Sequence, residues 1–346
     1  GSRSRFNKEI PLISESALIR SLKSLHTYLE AVHDLSKVDC VRYLEPFLAV
    51  VESPHTTGPM TGAALSSLHK FLLYGFITKE SSRAKEGIDR IARSITNFHF
   101  EETDPDSDEV VMMKLLELSA LCLRCEVGEL LKNSYCWEIF RSCHRISNQE
   151  QVSSLLSNTA GNTLAHIVLI LFSCPRGNKT KLIQNANLNP KKDIFEVSYE
   201  FDDNENSSLD GSENAVDYKP IRTLERSEGL KTETNVLVEI MRFLCKLSDP
   251  RSNSEETCIL SLSLINIALE AGGKRLGEDG DLVEIMRGDL CKHLLNLSQT
   301  EDMTVLSLTL RVVFNLFNSI KGHLKVQLEV FITSIHLRIL EGGNVG

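Results

Sequence analysis

The helical character of the chain is clearest in residues 302–319, which read DMTVLSLTLRVVFNLFNS. Wound with a period of 3.6 residues, this segment presents two faces that carry large apolar side chains. One face consists of Leu306, Leu310, Val313, Phe314 and Phe317, and the other of Val305, Leu308, Val312 and Leu316. A helix that is apolar on two sides is expected to lie between neighbouring helices. The segment therefore predicts a layered, all-helical protein.

The same periodicity recurs along the chain. In residues 14–35, gaps of four and three residues place one apolar stripe on a helix: Leu18, Leu22, Leu25, Leu29 and Val32. Further helices are predicted at 41–51, 59–76, 84–98, 105–123, 134–147, 150–173, 233–248, 255–271, 281–298 and 323–340. No segment shows the strict alternation of apolar and polar residues that is typical of a half-buried strand. The sequence therefore favours the all-α class.

Helix start and stop signals agree with these boundaries. Pro59 and Pro105 follow residues suited to the amino-terminal end of a helix, whereas Asp249-Pro250, Gly272-Gly273 and Gly322 interrupt successive apolar patterns. Helices of similar length with short connections pack as antiparallel pairs, and stacked pairs form an α-solenoid of the HEAT or armadillo type. No shared signature recurs at a period of about 34 to 47 residues, so any repeats are degenerate.

The periodicity disappears between residue 174 and residue 232. Within this segment, residues 196–217 contain eight acids and no Lys or Arg, with few apolar side chains. Such a composition is typical of a flexible linker. We therefore predict three parts: a helical domain at 1–173, an acidic flexible linker at 174–232 and a second helical domain at 233–346.

Composition narrows the function classes. The 346 residues are 42% hydrophobic and 25% charged, values that are ordinary for a folded protein. Acids outnumber bases 47 to 38, and residues 196–217 alone supply −8 of the net charge of −9. Neither helical domain shows an evident basic stripe, so nucleic acid is not an expected partner. Recognition is expected to depend on packed helical faces and a few specific charges.

Cysteine usage and hydropathy indicate a cytoplasmic protein. The nine cysteines are an odd number and lie inside apolar periodic segments, which is typical of reduced thiols. No stretch approaches the roughly 20 apolar residues that would span a bilayer. Membrane contact is therefore expected to be peripheral.

One cysteine cluster invites a zinc hypothesis. Cys122 and Cys125 have the spacing of paired thiolate ligands, and Cys136, Cys143 and His144 follow them. However, Cys136 and Cys143 lie seven residues apart on a predicted helix, so buried, small apolar side chains are the favoured interpretation. Phosphate-loop, dinucleotide-binding and nucleophile-elbow patterns are absent from the sequence. We therefore expect no catalytic, cofactor or metal site.

Three motifs carry a family resemblance. Residues 56–72 (TTGPMTGAALSSLHKFL), 103–114 (TDPDSDEVVMMK) and 323–329 (HLKVQLE) resemble large Arf guanine-nucleotide exchange factors of the Golgi brefeldin-A-resistance (GBF/Gea/GNOM) branch. The first two motifs resemble its dimerisation and cyclophilin-binding (DCB) domain, and the third resembles its homology-upstream (HUS) domain. The resemblance implies a regulatory region without the catalytic exchange domain. It also implies a homodimer in the cytoplasm, peripherally associated with Golgi membranes.

The same resemblance implies partners and two interface residues. The implied partners are small GTPases of the Arf/Rab class, other domains of the parent exchange factor and a second copy of the chain. Lys70 and Glu109 match positions that the family uses in its dimer contact. A Lys near the middle of one helix and an acid in the first turn of another can pair across a two-fold axis, where each contact occurs twice. Alternatively, Lys70 is only solvated and Glu109 interacts with its own helix terminus.

Two other functions stay open at this point. The first is a stand-alone armadillo-type scaffold that binds peptides, which would need a ladder of Asn and Trp side chains along an inner groove. The single Trp137 disfavours it. The second is an enzyme that uses the cysteine cluster, and finding neither bound zinc nor a reactive thiol in the purified protein would exclude it.

Overall fold

The structure is a computed structural model, and it describes residues 17–32, 38–98, 105–149, 152–173 and 235–342. The predicted linker at 174–232 and both ends of the helix predicted at 14–35 lie outside the described residues. Within them the chain is helical, with no β-strand, which confirms the predicted all-α class.

The helices follow the predicted ones closely. The described residues form α1 Ala17–Glu30, α2 Cys40–Glu52, α3 Gly58–Leu73, α4 Ala84–Thr96, α5 Pro105–Arg124, α6 Asn133–Ser147, α7 Ser154–Ser173, α8 Val236–Leu247, α9 Glu255–Gly272, α10 Gly280–Ile285, α11 Cys291–Leu297, α12 Met303–Ile320 and α13 Lys325–Gly342. A π-helical turn, Met286–Leu290, joins α10 to α11, so the pair occupies the one helix predicted at 281–298. Short 3₁₀ helices at Glu126–Leu130, Gly273–Glu278 and Lys321–His323 are not foreseen by periodicity.

The helices pack in two layers. Layer A contains α2, α4, α6, α8 and the α10–α11 pair, and layer B contains α3, α5, α7, α9 and α12. Each helix packs on the next member of its own layer and on a partner in the other layer. This arrangement is that of an α-solenoid built from helix pairs.

Side-chain contacts show a regular repeat that the sequence does not. Arg83 binds Asp39, 44 residues away, and Asn235 binds Asp279, also 44 residues away. Lys132 donates its backbone N–H to Asp89, 43 residues away. In layer B, Asn315 donates to Asn266, 49 residues away. A nearly constant separation means that successive helices of a layer run in the same direction, and its length matches HEAT and armadillo repeats.

The helical parts on either side of residues 174–234 stack directly on each other. The ring of Phe243 on α8 lies 5.5 Å from that of Trp137 and 6.0 Å from that of Phe140, both on α6. In layer B, α7 packs on α9. The guanidinium of Arg275 donates to the carbonyls of Phe172 and Ser173 at the end of α7, at 3.1 and 2.7 Å. The two parts therefore form one compact unit with a shared core.

One prediction about α12 is wrong for the described part of the chain. Its buried side chains lie on one side only: Val305, Thr309, Val312, Val313, Leu316 and Ile320. On the other side, Leu310 is 39% exposed and Phe314 is 65% exposed. The reason is geometric, since α9 and α11 cover the buried side of α12, and Leu310 and Phe314 lie on the side turned away from both.

Two described segments are long and apolar enough, by composition alone, to cross a membrane: Ser154–Ser173 and Met303–His323. A buried helix of a folded protein meets the same criterion. Indeed α7, which is the first of these segments, is packed against α5, α6 and α9.

Candidate self-association interface

Both sequence-predicted interface residues lie in layer B, on the neighbouring helices α3 and α5. Gly58 and Pro59 begin α3, with Pro59 at a position where the missing N–H costs nothing. The two helices approach closely at Gly62, because a Cβ there would lie 3.7 Å from the side chain of Val111 and 3.6 Å from Nζ of Lys114. The pair therefore offers a firm platform for surface side chains.

Lys70 is exposed on α3. Within the described part of the chain, its side chain forms no hydrogen bond or ion pair, and no shared contact joins it to Glu109. Its ammonium is thus available to a partner. The sequence prediction of an exposed Lys agrees with this placement, whereas its role in a dimer stays a prediction.

Glu109 has a structural contact that sequence reasoning missed. Its Oε1 accepts a hydrogen bond of 2.7 Å from the backbone N–H of Ser153, and the Ser153 hydroxyl accepts one of 3.1 Å from the backbone N–H of Leu156. Ser153 is therefore the N-cap of α7. In a capping box, an acid from the same helix satisfies the N-cap N–H. Here the acid comes from α5, 44 residues away, so it serves α7 rather than its own helix.

The register of α3 and α5 sets the distance between the two residues. Gly62 lies level with Val111 and Lys114, an offset of about 50 residues. Glu109 therefore lies near the first turn of α3, and Lys70 lies about ten residues, or roughly 15 Å, further along the layer. The structure does not bring them together within one chain. Spacing of this kind is compatible with two reciprocal contacts on either side of a two-fold axis.

Exposed apolar side chains surround these positions. Leu73 is 50% exposed and Tyr74 is 67% exposed, one turn beyond Lys70. Met60 at the start of α3 and Val110 beside Glu109 are each about half exposed. An apolar patch with a few charges has the composition of a protein–protein interface.

The two layers differ in their exposed surfaces. From α2 to α12, all exposed large apolar side chains on described helices belong to layer B: Met60, Leu73, Val110, Leu155, Leu169, Met303, Leu310 and Phe314. The layer A helices over the same span expose none.

Charge differs between the middle helices of the two layers, and this difference corrects the expectation that no basic stripe is present. The helices α4, α6 and α8, with the residue preceding each, carry nine Lys and Arg against four Asp and Glu. The facing helices α5, α7 and α9 carry two Lys and Arg against seven Asp and Glu. The basic residues are dispersed in the sequence, so only the layered fold gathers them.

The cysteine cluster is packed as neutral thiols. Cys122, Cys136 and Cys143 are buried, and burial raises the pKa of the Cys143 thiol to about 12. Burial likewise raises the pKa of Cys122 well above its ordinary value. The described residues contain no group of three or more His, Cys, Asp or Glu placed to hold a metal ion. A protonated thiol is a poor zinc ligand and a poor nucleophile.

The features that a peptide-binding armadillo groove would need are arranged differently. Trp137 lies in layer A, where it stacks on Phe140. In layer B, Asn315 donates to Asn266 at 2.8 Å and to Glu270 at 2.9 Å, so these Asn side chains bind each other. No ladder of open Asn and Trp side chains is present among these residues.

Comparison with known proteins shows which proteins the chain resembles. Residues 235–345 match the HUS domain family described as Mon2/Sec7/BIG1-like. Over 95% of its length, the chain is 27% identical to the ARF guanine-nucleotide exchange factor GNOM of Arabidopsis thaliana. Over 96% of its length, the chain is 27% identical to the Golgi-specific brefeldin A-resistance guanine nucleotide exchange factor 1 homolog of Caenorhabditis elegans. Over 92% of its length, the chain is 25% identical to the ARF guanine-nucleotide exchange factor 2 of Saccharomyces cerevisiae.

The chain is similar to large Arf guanine-nucleotide exchange factors of the GBF/GNOM branch over more than nine tenths of its length. It spans about a quarter of the length of these relatives, namely 26%, 22% and 25% of the three proteins named above. It carries the HUS region of such an exchange factor and not the Sec7 catalytic domain.

Proposed function

We propose that the chain is a non-catalytic regulatory and dimerisation module of an Arf guanine-nucleotide exchange factor that acts in Golgi membrane traffic. Residues 1–173 serve as its DCB domain and residues 233–346 as its HUS domain, with 174–232 as an acidic linker. The module self-associates, contacts other domains of the exchange factor, and takes part in recruiting small GTPases and in peripheral attachment to the membrane from the cytoplasm.

The observation that carries this proposal is the similarity to Arf exchange factors over more than nine tenths of the chain, together with the HUS match. The surface of layer B supports self-association. An exposed Lys70 and a Glu109 offset from it by about 15 Å along the helix axis lie on one layer, beside half-exposed Leu73 and Val110. Such a surface is self-complementary in charge, as an isologous interface must be.

Light scattering at micromolar concentration tests the proposal. We expect a mass near twice 38.7 kDa for the unaltered chain. The double variant Lys70→Ala, Glu109→Gln should shift the mass towards the monomer. Gln is chosen because its amide oxygen can still accept the Ser153 N–H, so loss of the α7 cap is not confused with loss of the dimer.

A matched control uses Lys114→Ala with Glu117→Gln, which removes the same charges further along α5. This control should leave the mass unchanged. A monomeric unaltered chain, or equal behaviour of the two double variants, would contradict the proposed role of Lys70 and Glu109.

A further inference from the structure

The exposed surface of layer A contains a basic patch, which we define as Arg93 on α4, Lys132 before α6, Arg141 and Arg145 on α6, and Arg242 and Lys246 on α8. All six side chains are exposed. The ring contacts of Phe243 with Trp137, Phe140 and His144 place the second half of α8 beside the second half of α6. Four of the six cations, those on α6 and α8, therefore lie close together.

The acids near the patch neutralise only part of it. Lys132 pairs with the buried Asp89 at 3.4 Å, Arg141 with Glu138 at 3.9 Å and Arg242 with Glu239 at 3.7 Å. Arg145 and Lys246 form no ion pair within the described ranges of the chain. Arg93 donates to the hydroxyl of Tyr135 and not to a carboxylate. The patch therefore keeps a net positive charge on a chain whose net charge is −9.

The shape and chemistry of the patch favour a broad, flat anionic partner. Adjacent helices lie about 8 to 10 Å apart, so three layer A helices spread the cations over roughly 20 Å. No large apolar side chain is exposed on the helices of layer A from α2 to α11, so this surface offers neither an anchor that inserts into a bilayer nor an apolar groove for a peptide. Electrostatic attraction to a sheet of phosphate headgroups needs neither.

We propose that the basic patch of layer A docks on an anionic lipid surface. This inference rests on the membrane attachment in the proposed function and names the face that performs it. Layer B, with its exposed apolar side chains, then points away from the lipid and stays accessible to protein partners. In attachment of this kind, each charge contributes a small binding free energy, the contributions of several charges add, and salt screens them.

Vesicle co-sedimentation tests the proposal on the full chain. The probes are vesicles of phosphatidylcholine alone and vesicles in which about a third of the lipid is phosphatidylserine. We expect binding to the anionic vesicles, little binding to the neutral ones, and loss of binding when salt is raised to about 0.5 M. The variant Arg145→Glu, Lys246→Glu should lower the affinity for anionic vesicles at least about tenfold.

A control variant with the same change in net charge, Arg124→Glu with Lys274→Glu, alters exposed cations outside the patch. It should bind nearly as well as the unaltered chain. Equal loss in both variants would show that net charge alone matters and would overturn the assignment of the face. So would equal binding to neutral vesicles, or binding to soluble polyglutamate without binding to vesicles.

Thermal melting of each variant shows that a loss of binding is not a loss of folding, since Arg145 and Lys246 also lie in last helical turns. The mass in solution is measured on the same samples. If the chain dimerises but does not bind anionic vesicles, the lipid-docking inference is refuted and the proposed dimer is not. If the chain is a monomer that binds anionic vesicles, the proposed dimer is refuted and the lipid-docking inference is not.

Discussion

Gly128 lies so close to the end of α5 that no side chain fits there. A Cβ at this position would lie 2.2 Å from the carbonyl oxygen of Cys122, which is backbone and cannot turn aside. We expect Gly128→Ala to lower the free energy of unfolding by about 3 kcal/mol, because the 3₁₀ helix Glu126–Leu130 must move as a unit. Chemical denaturation measures this. Gly288→Ala is the control, since nothing lies within 4 Å of the added carbon there, and its effect should stay within about 1 kcal/mol.

His144 gives a pH dependence of stability whose sign follows from burial. Its ring packs edge-on against Phe243 at 4.9 Å, and burial lowers its pKa below the ordinary value of 6.5. The unfolded chain therefore takes up a proton more readily than the folded one. Stability is fully present above about pH 6.5 and falls as the pH drops towards the lower, folded pKa.

Melting curves between about pH 7.5 and about pH 5 check this prediction. The variant His144→Phe keeps a ring beside Phe243 and removes the titration, so its stability should fall less over the same range. A parallel decline in both proteins would mean that His144 is not a source of the effect. His166, whose pKa is also lowered by burial, contributes in the same direction in both proteins.

The sequence predicts the role of a single residue only where that role depends on neighbouring residues in the chain. Exposure of Lys70 follows from its position on α3, and the sequence suffices for that. The contact of Glu109 with Ser153 joins residues 44 apart, and no local pattern specifies which helix end an acid will reach. The close approach of Gly128 to Cys122 is likewise a product of tertiary packing.

At the scale of elements, Arg275 joins the two helical parts at one helix end. Its guanidinium donates to the carbonyls of Phe172 and Ser173, which have no partner within α7, and to that of Ala271. We expect Arg275→Ala to cost about 1 to 2 kcal/mol of stability. The exchange of amide hydrogens in the last turn of α7 should accelerate.

The neighbouring exposed Lys274 provides the comparison for Arg275. Lys274→Ala changes the charge in the same way without removing a bond to α7, so both stability and exchange should stay near those of the unaltered chain. Unchanged exchange in Arg275→Ala would show that other contacts alone hold the end of α7.

Most helix boundaries were predictable from the sequence, because the capping residues and the periodicity of apolar residues indicate the same starts and ends. Gly273, with a φ of 53°, ends α9 where the sequence Gly272-Gly273 indicates a stop. The short 3₁₀ helices and the π-helical turn Met286–Leu290 were not predicted, since they adjust the chain to neighbouring helices and carry no period of their own.

At the scale of the whole molecule, the sequence left open whether the helical parts form one unit. The contacts of Phe243 and Arg275 show that α7 and α8 continue one two-layered stack across the intervening 174–234 segment. The separation between the exposed apolar side chains of layer B and the basic patch of layer A also emerges only at this scale. The residues of the basic patch are spread from Arg93 to Lys246, so no short stretch of sequence contains them all.

The central functional claim is that Lys70 of one copy meets Glu109 of another. Two single charge reversals examine it directly, Lys70→Glu and Glu109→Lys, each prepared alone and then mixed in equal amounts. In an isologous dimer, each reversal alone sets like charges opposite each other twice, whereas the mixed pair restores two attractive contacts. Thermal melting of Glu109→Lys first establishes that the chain remains folded without its α7 cap.

The decisive measurement is the mass of these samples by light scattering. Each variant alone should have a mass near 38.7 kDa, and the mixture should contain a species of twice that mass. If either variant alone remains dimeric, or if the mixture of folded variants stays monomeric, Lys70 and Glu109 do not pair across the interface.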